Sequence, residues 1–147
     1  MKRHPSLAHL SRDHHGALIL AKLLQKDAPA YKGLPTDTAG KAAYAIDFYK
    51  RELITHFEAE EKALSMVKGT NPSLDALVQT IFDEHQQLHK SFKNIVPAAV
   101  LPGELDEIGL ALEKHVRKEE RELFPLIEST CAEALLSAID KYLSSHS

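Results

Sequence analysis

Apolar residues recur at three- and four-residue intervals along four long stretches of the chain, the spacing that lines one face of an α-helix. Leu7, Leu10, Ala17, Ala21 and Leu24 form the first stripe. Ala45, Phe48 or Tyr49, Leu53 and Leu64 form the second, Val78, Ile81, Phe92 and Val96 the third, and Ile108, Leu112, Leu123 and Leu126 the fourth. No stretch shows the alternation of a half-buried strand. Turn-forming residues fall between the stripes: Pro29, Gly33 and Pro35, then Gly69 and Pro72, then Pro97, Pro102 and Gly103. Start signals precede each stripe, with Ser6, Thr36-Asp37-Thr38, Asn71-Pro72-Ser73 and the acidic Glu104, Asp106 and Glu107. Helices are therefore expected over 6–27, 38–67, 73–95 and 104–124. Pro125 removes a backbone donor and disfavours helical geometry at Phe124, so the fourth helix is expected to end or kink there, before a short helix near 130–144. Short links favour antiparallel neighbours. The predicted fold is all-α, an antiparallel up-down-up-down four-helix bundle with a short C-terminal fifth helix.

The chain has 147 residues, of which 44% are hydrophobic, enough for one domain over 1–147 with a single core. Lysine and arginine number 18 against 21 aspartates and glutamates, a net charge of −3 with both signs interspersed. That balance argues against a nucleic-acid partner. No apolar run is long enough for a membrane span, and Met1-Lys2-Arg3-His4-Pro5-Ser6 does not lead into an apolar signal core, so a cytoplasmic location is expected. The single cysteine, Cys131, cannot form an internal disulfide.

Nine histidines change the picture, because several break the apolar stripes at helical spacing. His56 with Glu60, His85 with His89, and His115 with Glu119 each lie four residues apart, so both members of a pair share one helix face. His14 or His15 adds a histidine on the first helix. One such pair alone more often decorates a helix surface than binds a metal. Three on core-facing stripes, at similar depth in antiparallel helices, would bury costly polar groups unless a metal compensated them. His85 and His89 have the spacing of a zinc-protease helix, but Gln86 stands where that chemistry needs a glutamate. Ferritin-type sites use a Glu-x-x-His step, which is absent. Five imidazoles and two carboxylates exceed the needs of one tetrahedral zinc and suit two ions, with the carboxylates bridging and the histidines divided three and two. One ion is then left with an open position.

The motifs Arg12-Asp13-His14-His15, His56-Phe57-Glu58-Ala59-Glu60-Glu61, His85-Gln86-Gln87-Leu88-His89 and His115-Val116-Arg117-Lys118-Glu119-Glu120, followed by Leu123-Phe124-Pro125, resemble those of hemerythrin-like, or HHE cation-binding, domains. The resemblance implies a four-helix bundle holding two iron ions, oxo- or hydroxo-bridged. It implies that His85, His89 and His115 hold one iron, His56 and a first-helix histidine the other, and that Glu60 and a fourth-helix carboxylate bridge them. Between His14 and His15, the apolar stripe favours His14. For the second bridge helical spacing favours Glu119, whereas the oxygen-carrying members use the next position, here Glu120. The implied ligand is dioxygen or a related small molecule such as peroxide or nitric oxide, in oxygen or redox sensing, carriage or iron handling. A catalase- or peroxidase-like enzyme and a metal-stabilised interaction bundle are the alternatives, and the sequence points to no particular protein partner. Glu58, Glu61 and Glu120 are expected on exposed faces or just outside the ligands, and His4, His9 and His146 in solvent. Tyr49 and His15 are candidate donors to a bound ligand.

Overall fold

The computed structural model describes residues 2–145, and among these no strand forms. Helix α1 is Pro5–Leu24. Helix α2 runs over 38–67, with a π-helical turn at Tyr49–Leu53 between Thr38–Phe48 and Ile54–Val67. Helix α3 is Pro72–Lys93. Helix α4 runs over 102–130, with a second π-helical turn at Glu119–Leu123 between Pro102–Lys118 and Phe124–Thr130. Helix α5 is Glu133–Ser145. This is the expected four-helix bundle with a short fifth helix. No helix among the described residues is long and apolar enough to cross a membrane.

Local chemistry sets the helix ends. The Asp37 carboxylate accepts the Gly40 N–H at 3.1 Å, and the Asn71 side chain accepts those of Ser73 and Leu74. At α1 the cap is the imidazole of His4, whose Nδ1 accepts the Ser6 N–H at 3.0 Å, so the helix begins at Pro5 rather than at Ser6. Helix α1 stops at Leu24, short of residue 27, because Gln25 turns extended and its amide donates to Glu113 at 2.7 Å.

Two apolar clusters occupy the two ends of the bundle, and the order in which each helix visits them shows its direction. Helix α1 gives Leu7 and Leu10 to one cluster and then Ala17, Leu20 and Leu24 to the other. Helix α2 runs the opposite way, from Ala42, Ala45 and Phe57 to Leu64 and Val67. Helix α3 passes from Leu74, Val78 and Ile81 to Leu88 and Phe92, and α4 from Leu105, Leu112 and Val116 to Leu123, Phe124 and Ile127. At each crossover the inward residue is polar: His14, Glu60, His85 and Glu119. The core is thus two apolar halves separated by one polar layer. Helix α5 closes one half with Leu136, Ile139 and Leu143, burial that gives this short segment its reason to fold.

The π turns were not legible in the apolar spacing. The second explains why Pro125 does not end α4. Within the turn bonds run between residues five apart, as from the Phe124 N–H to the Glu119 carbonyl. The next such bond would join residue 125 to the Glu120 carbonyl, and proline has no N–H to make it. That carbonyl instead accepts the Arg3 guanidinium at 2.9 Å. The helix therefore continues to Thr130.

Helices α1 and α4 approach closely at Gly109, where a Cβ would lie 2.5 Å from the Ala21 carbonyl oxygen. Beside this contact Glu113 accepts from Gln25 at 2.7 Å and lies 3.0 Å from both Lys22 Nζ and Arg117 Nε. Bonding to Gln25 and Lys22 lowers its pKa to about 2. A depressed carboxylate stabilises the fold above its unfolded-state pKa of 4.5, and the contribution disappears as pH falls through about 2. Solvent nearby screens the charges. Glu113→Gln is therefore expected to cost only about 1 kcal/mol at pH 7, with wild type and variant converging near pH 2, in urea unfolding at both pH values. A gap that persists unchanged at the acid end would show that the charge is not its source.

Two histidines expected in solvent instead tie helices together. His9 Nε2 lies 2.7 Å from Asp140, and His4 Nε2 lies 3.1 Å from Glu133, both joining the start of α1 to α5. His146 lies outside the described residues.

Candidate metal centre

The polar layer brings His14, His56, Glu60, His85, His115 and Glu119 together, one or two from each of the four long helices, and all six are buried. They fall into two groups whose ligand atoms lie within 4.8 Å of one another: His14, His56, Glu60 and Glu119, and Glu60, His85, His115 and Glu119. Glu60 and Glu119 belong to both. An octahedral ion with bonds of about 2.1 Å sets its ligand atoms roughly 3.0 to 4.2 Å apart, so each group has the dimensions of one coordination sphere.

The donor atoms are not satisfied as a hydrogen-bonded cluster. His14 Nε2 lies 3.0 Å from Glu119 Oε1, and His85 Nε2 lies 2.9 Å from Glu60 Oε1. Neither approach has hydrogen-bond geometry. Nε2 of His14, His85 and His115 and all four carboxylate oxygens of Glu60 and Glu119 are buried without a hydrogen-bond partner. Seven orphaned donor atoms in one layer would be a severe cost in a purely apolar or hydrogen-bonded core. They fit a pair of cations bridged by two carboxylates.

The other nitrogen of each buried histidine is occupied, in a pattern that closes on itself. Asp13 of α1 lies 2.8 Å from His56 Nδ1 on α2. Glu61 of α2 lies 2.7 Å from His85 Nδ1 on α3. Glu84 of α3 lies 2.8 Å from His115 Nδ1 on α4, and Glu120 of α4 lies 2.6 Å from His14 Nδ1 on α1. Each helix hands a carboxylate to the histidine of the next, and the fourth returns to the first. An Nδ1–H donated to a carboxylate leaves Nε2 with its lone pair aimed inward, the tautomer a metal requires. Each of these carboxylates is also the sequence neighbour of an inward ligand: Asp13-His14, Glu60-Glu61, Glu84-His85 and Glu119-Glu120. That one-residue offset was the available signal. Sequence reasoning put Glu61 and Glu120 outside the ligands but missed Asp13 and Glu84.

Charge follows the same design. Burial works against ionising Glu60, but Glu119 and the imidazoles of His56 and His85 outweigh it and hold its pKa well below the ordinary value. Burial raises Glu119, and the Glu60 charge raises it further, so the pair retains a proton when no cation is present. Burial also opposes protonation of His56, yet Asp13 and Glu60 push it up to about 9. Glu84 is held at about 2 against the effect of burial by His115 and by Lys118, whose ammonium it also binds. A metal must displace the protons on His56 and Glu119, so its hold weakens as pH falls.

His89 stands outside both groups. Its Nδ1 lies 2.5 Å from the hydroxyl of buried Tyr49, the residue that opens the first π turn. Phe57 separates the layer from the apolar half beyond: its ring stacks on His85 at 4.3 Å and meets the edge of His89 at 5.3 Å. His15 is exposed, and Glu120 is half-buried at the edge of the layer.

Comparison with known families decides the affiliation, since the hemerythrin HHE cation binding domain matches residues 6–127, most of the chain. The chain belongs to the hemerythrin HHE cation-binding domain family. No curated protein and no solved structure matches it. Within this hemerythrin domain the matched span runs from the start of α1 into the last turns of α4 and includes both His/Glu groups and the carboxylate ring. Helix α5 lies outside that span.

Proposed function

We propose that His14, His56, Glu60, His85, His89, His115 and Glu119 hold two iron ions, and that the ion carried by His14 and His56 keeps a position open to dioxygen or a related small ligand. The observation that carries this reading is the set of seven buried, unpartnered donor atoms shared between two groups. His89 joins the ion of His85 and His115: with its Nδ1–H donated to the Tyr49 oxygen, Nε2 is the nitrogen left free. The histidines then divide three and two. Iron supplies a reversible change of oxidation state and an exchangeable coordination position.

The surrounding residues support entry on the two-histidine side. A cleft of about 260 Å³ between α1 and the first π turn is lined by Arg12, Asp13, Gly16, Phe48, Glu52, Leu53 and His56. His56, at 6% exposure, is the most accessible of the six clustered residues. On the opposite side Phe57 covers the ring of His85, and burial raises the Tyr49 pKa, which favours its protonated hydroxyl. These features suit the binding of a small neutral molecule.

The test is to load the chain with ferrous iron without oxygen, admit air, remove it, and follow iron content and the visible spectrum. Two irons per chain and a band that appears with oxygen and fades on its removal are expected. Irreversible oxidation with consumption of added peroxide would favour a peroxide-decomposing enzyme instead. A chain that takes up iron but shows no response to oxygen, azide or nitric oxide would leave the metal a structural role.

A further inference from the structure

Arg3 lies before the first helix and outside every motif, yet its contacts converge on one histidine. We propose that Arg3 is a positioning residue for the metal ion on the His14 side, an inference that rests on the two-iron reading above. One Nη2 group donates to the Glu120 carbonyl at 2.9 Å and to the Glu120 carboxylate at 3.2 Å, fixing the side chain against its own backbone. Nη1 donates to Glu128 at 2.9 Å, about two helical turns further along α4. Glu120 in turn lies 2.6 Å from His14 Nδ1 through Oε2, which also accepts from Ser11.

A second line of contact reaches the same ring. The Arg3 guanidinium sits 5.4 Å from the centroid of Phe124, and Phe124 stacks on His14 at 5.7 Å with an interplanar angle of 2°. His14 is therefore held at its edge by Glu120 and on its face by Phe124, and Arg3 braces both. The contact exists because of the π turn, which leaves the Glu120 carbonyl without a helical donor at Pro125. Without Arg3 that carbonyl loses the guanidinium donor, and Glu120 loses a restraint that keeps it from swinging away from Nδ1. His14 would then lose both its fixed tautomer and its fixed ring plane.

Arginine is specific to this task. Its planar fork reaches Glu128 and two oxygens of Glu120 at once, whereas the single ammonium of lysine can supply the charge but not the geometry. Glu84, the neighbouring ring member on α3, is braced by Lys118, where one carboxylate oxygen needs only a point contact.

The experiment measures release of iron from the loaded chain to an excess of ferrous chelator. In Arg3→Ala one of two release phases is expected to accelerate about tenfold, the scale seen when partners of metal ligands are lost, while the other stays at the wild-type rate. Arg3→Lys should fall between. His9→Ala serves as the structural comparison, since it removes the 2.7 Å contact from the start of α1 to Asp140 without touching Glu120. It should release iron as wild type does. Equal acceleration of both phases, the same acceleration in His9→Ala, or a wild-type rate in Arg3→Ala would each overturn the proposal. Failure of the wild-type chain to take up iron would remove the two-iron reading itself and this proposal with it.

Discussion

Replacing Glu60 by alanine is expected to remove both metal ions, not one. Glu60 belongs to both groups of the polar layer, and neither of its oxygens has a hydrogen-bond partner. Each ion would lose an anionic ligand at the same time, and the loss in affinity should exceed the roughly 100-fold upper range typical of partners lying outside the ligands. His115→Ala touches only one of the groups and should spare the ion held by His14 and His56. Metal content after dialysis against a chelator separates the two variants, with helical circular dichroism showing that each still folds. A Glu60→Ala chain that retained two ions would mean that the carboxylate does not bridge.

Phe57→Ala should produce the largest loss of fold stability. The ring is 1% exposed and packs against His56, His85, His89 and His115 within one layer, with centroid separations from 4.3 to 6.0 Å. Four imidazoles tethered at Nδ1, three by carboxylates and His89 by Tyr49, cannot move in to fill the space, so the site should collapse poorly. A cost of about 3–5 kcal/mol is expected in urea unfolding of the metal-free chain. Water admitted beside His85 should also speed metal exchange. A cost below about 1 kcal/mol would imply that the layer relaxes around the cavity.

The apolar stripes made the helices readable, because burial in a bundle follows the helical repeat closely, and the short links between them made their antiparallel directions readable. The same repeat brought out His14, His56, Glu60, His85, His115 and Glu119 as polar interruptions of it. The π turns at Tyr49–Leu53 and Glu119–Leu123 escaped notice, since one extra residue in a turn only shifts the phase of a stripe and leaves no composition of its own. Pro125 consequently reads as a helix stop, although the π turn removes the bond it would have broken. Asp13 and Glu84 look like members of solvated faces; their roles depend on which helix lies alongside, a tertiary fact. His4 and His9 meet acidic partners on α5 for the same reason. Arg3 is the extreme case, because its three oxygen acceptors lie 117 and 125 residues away in the chain.

In the two-iron reading, two cations share Glu60 and Glu119 in the layer between the two apolar halves. Iron-edge X-ray absorption on the iron-loaded chain tests it most directly, because it reports the neighbours of each iron atom. An iron neighbour at roughly 3–4 Å is expected, with nitrogen and oxygen ligands near 2.1 Å. A spectrum with light-atom ligands alone and no second iron within that range would contradict it.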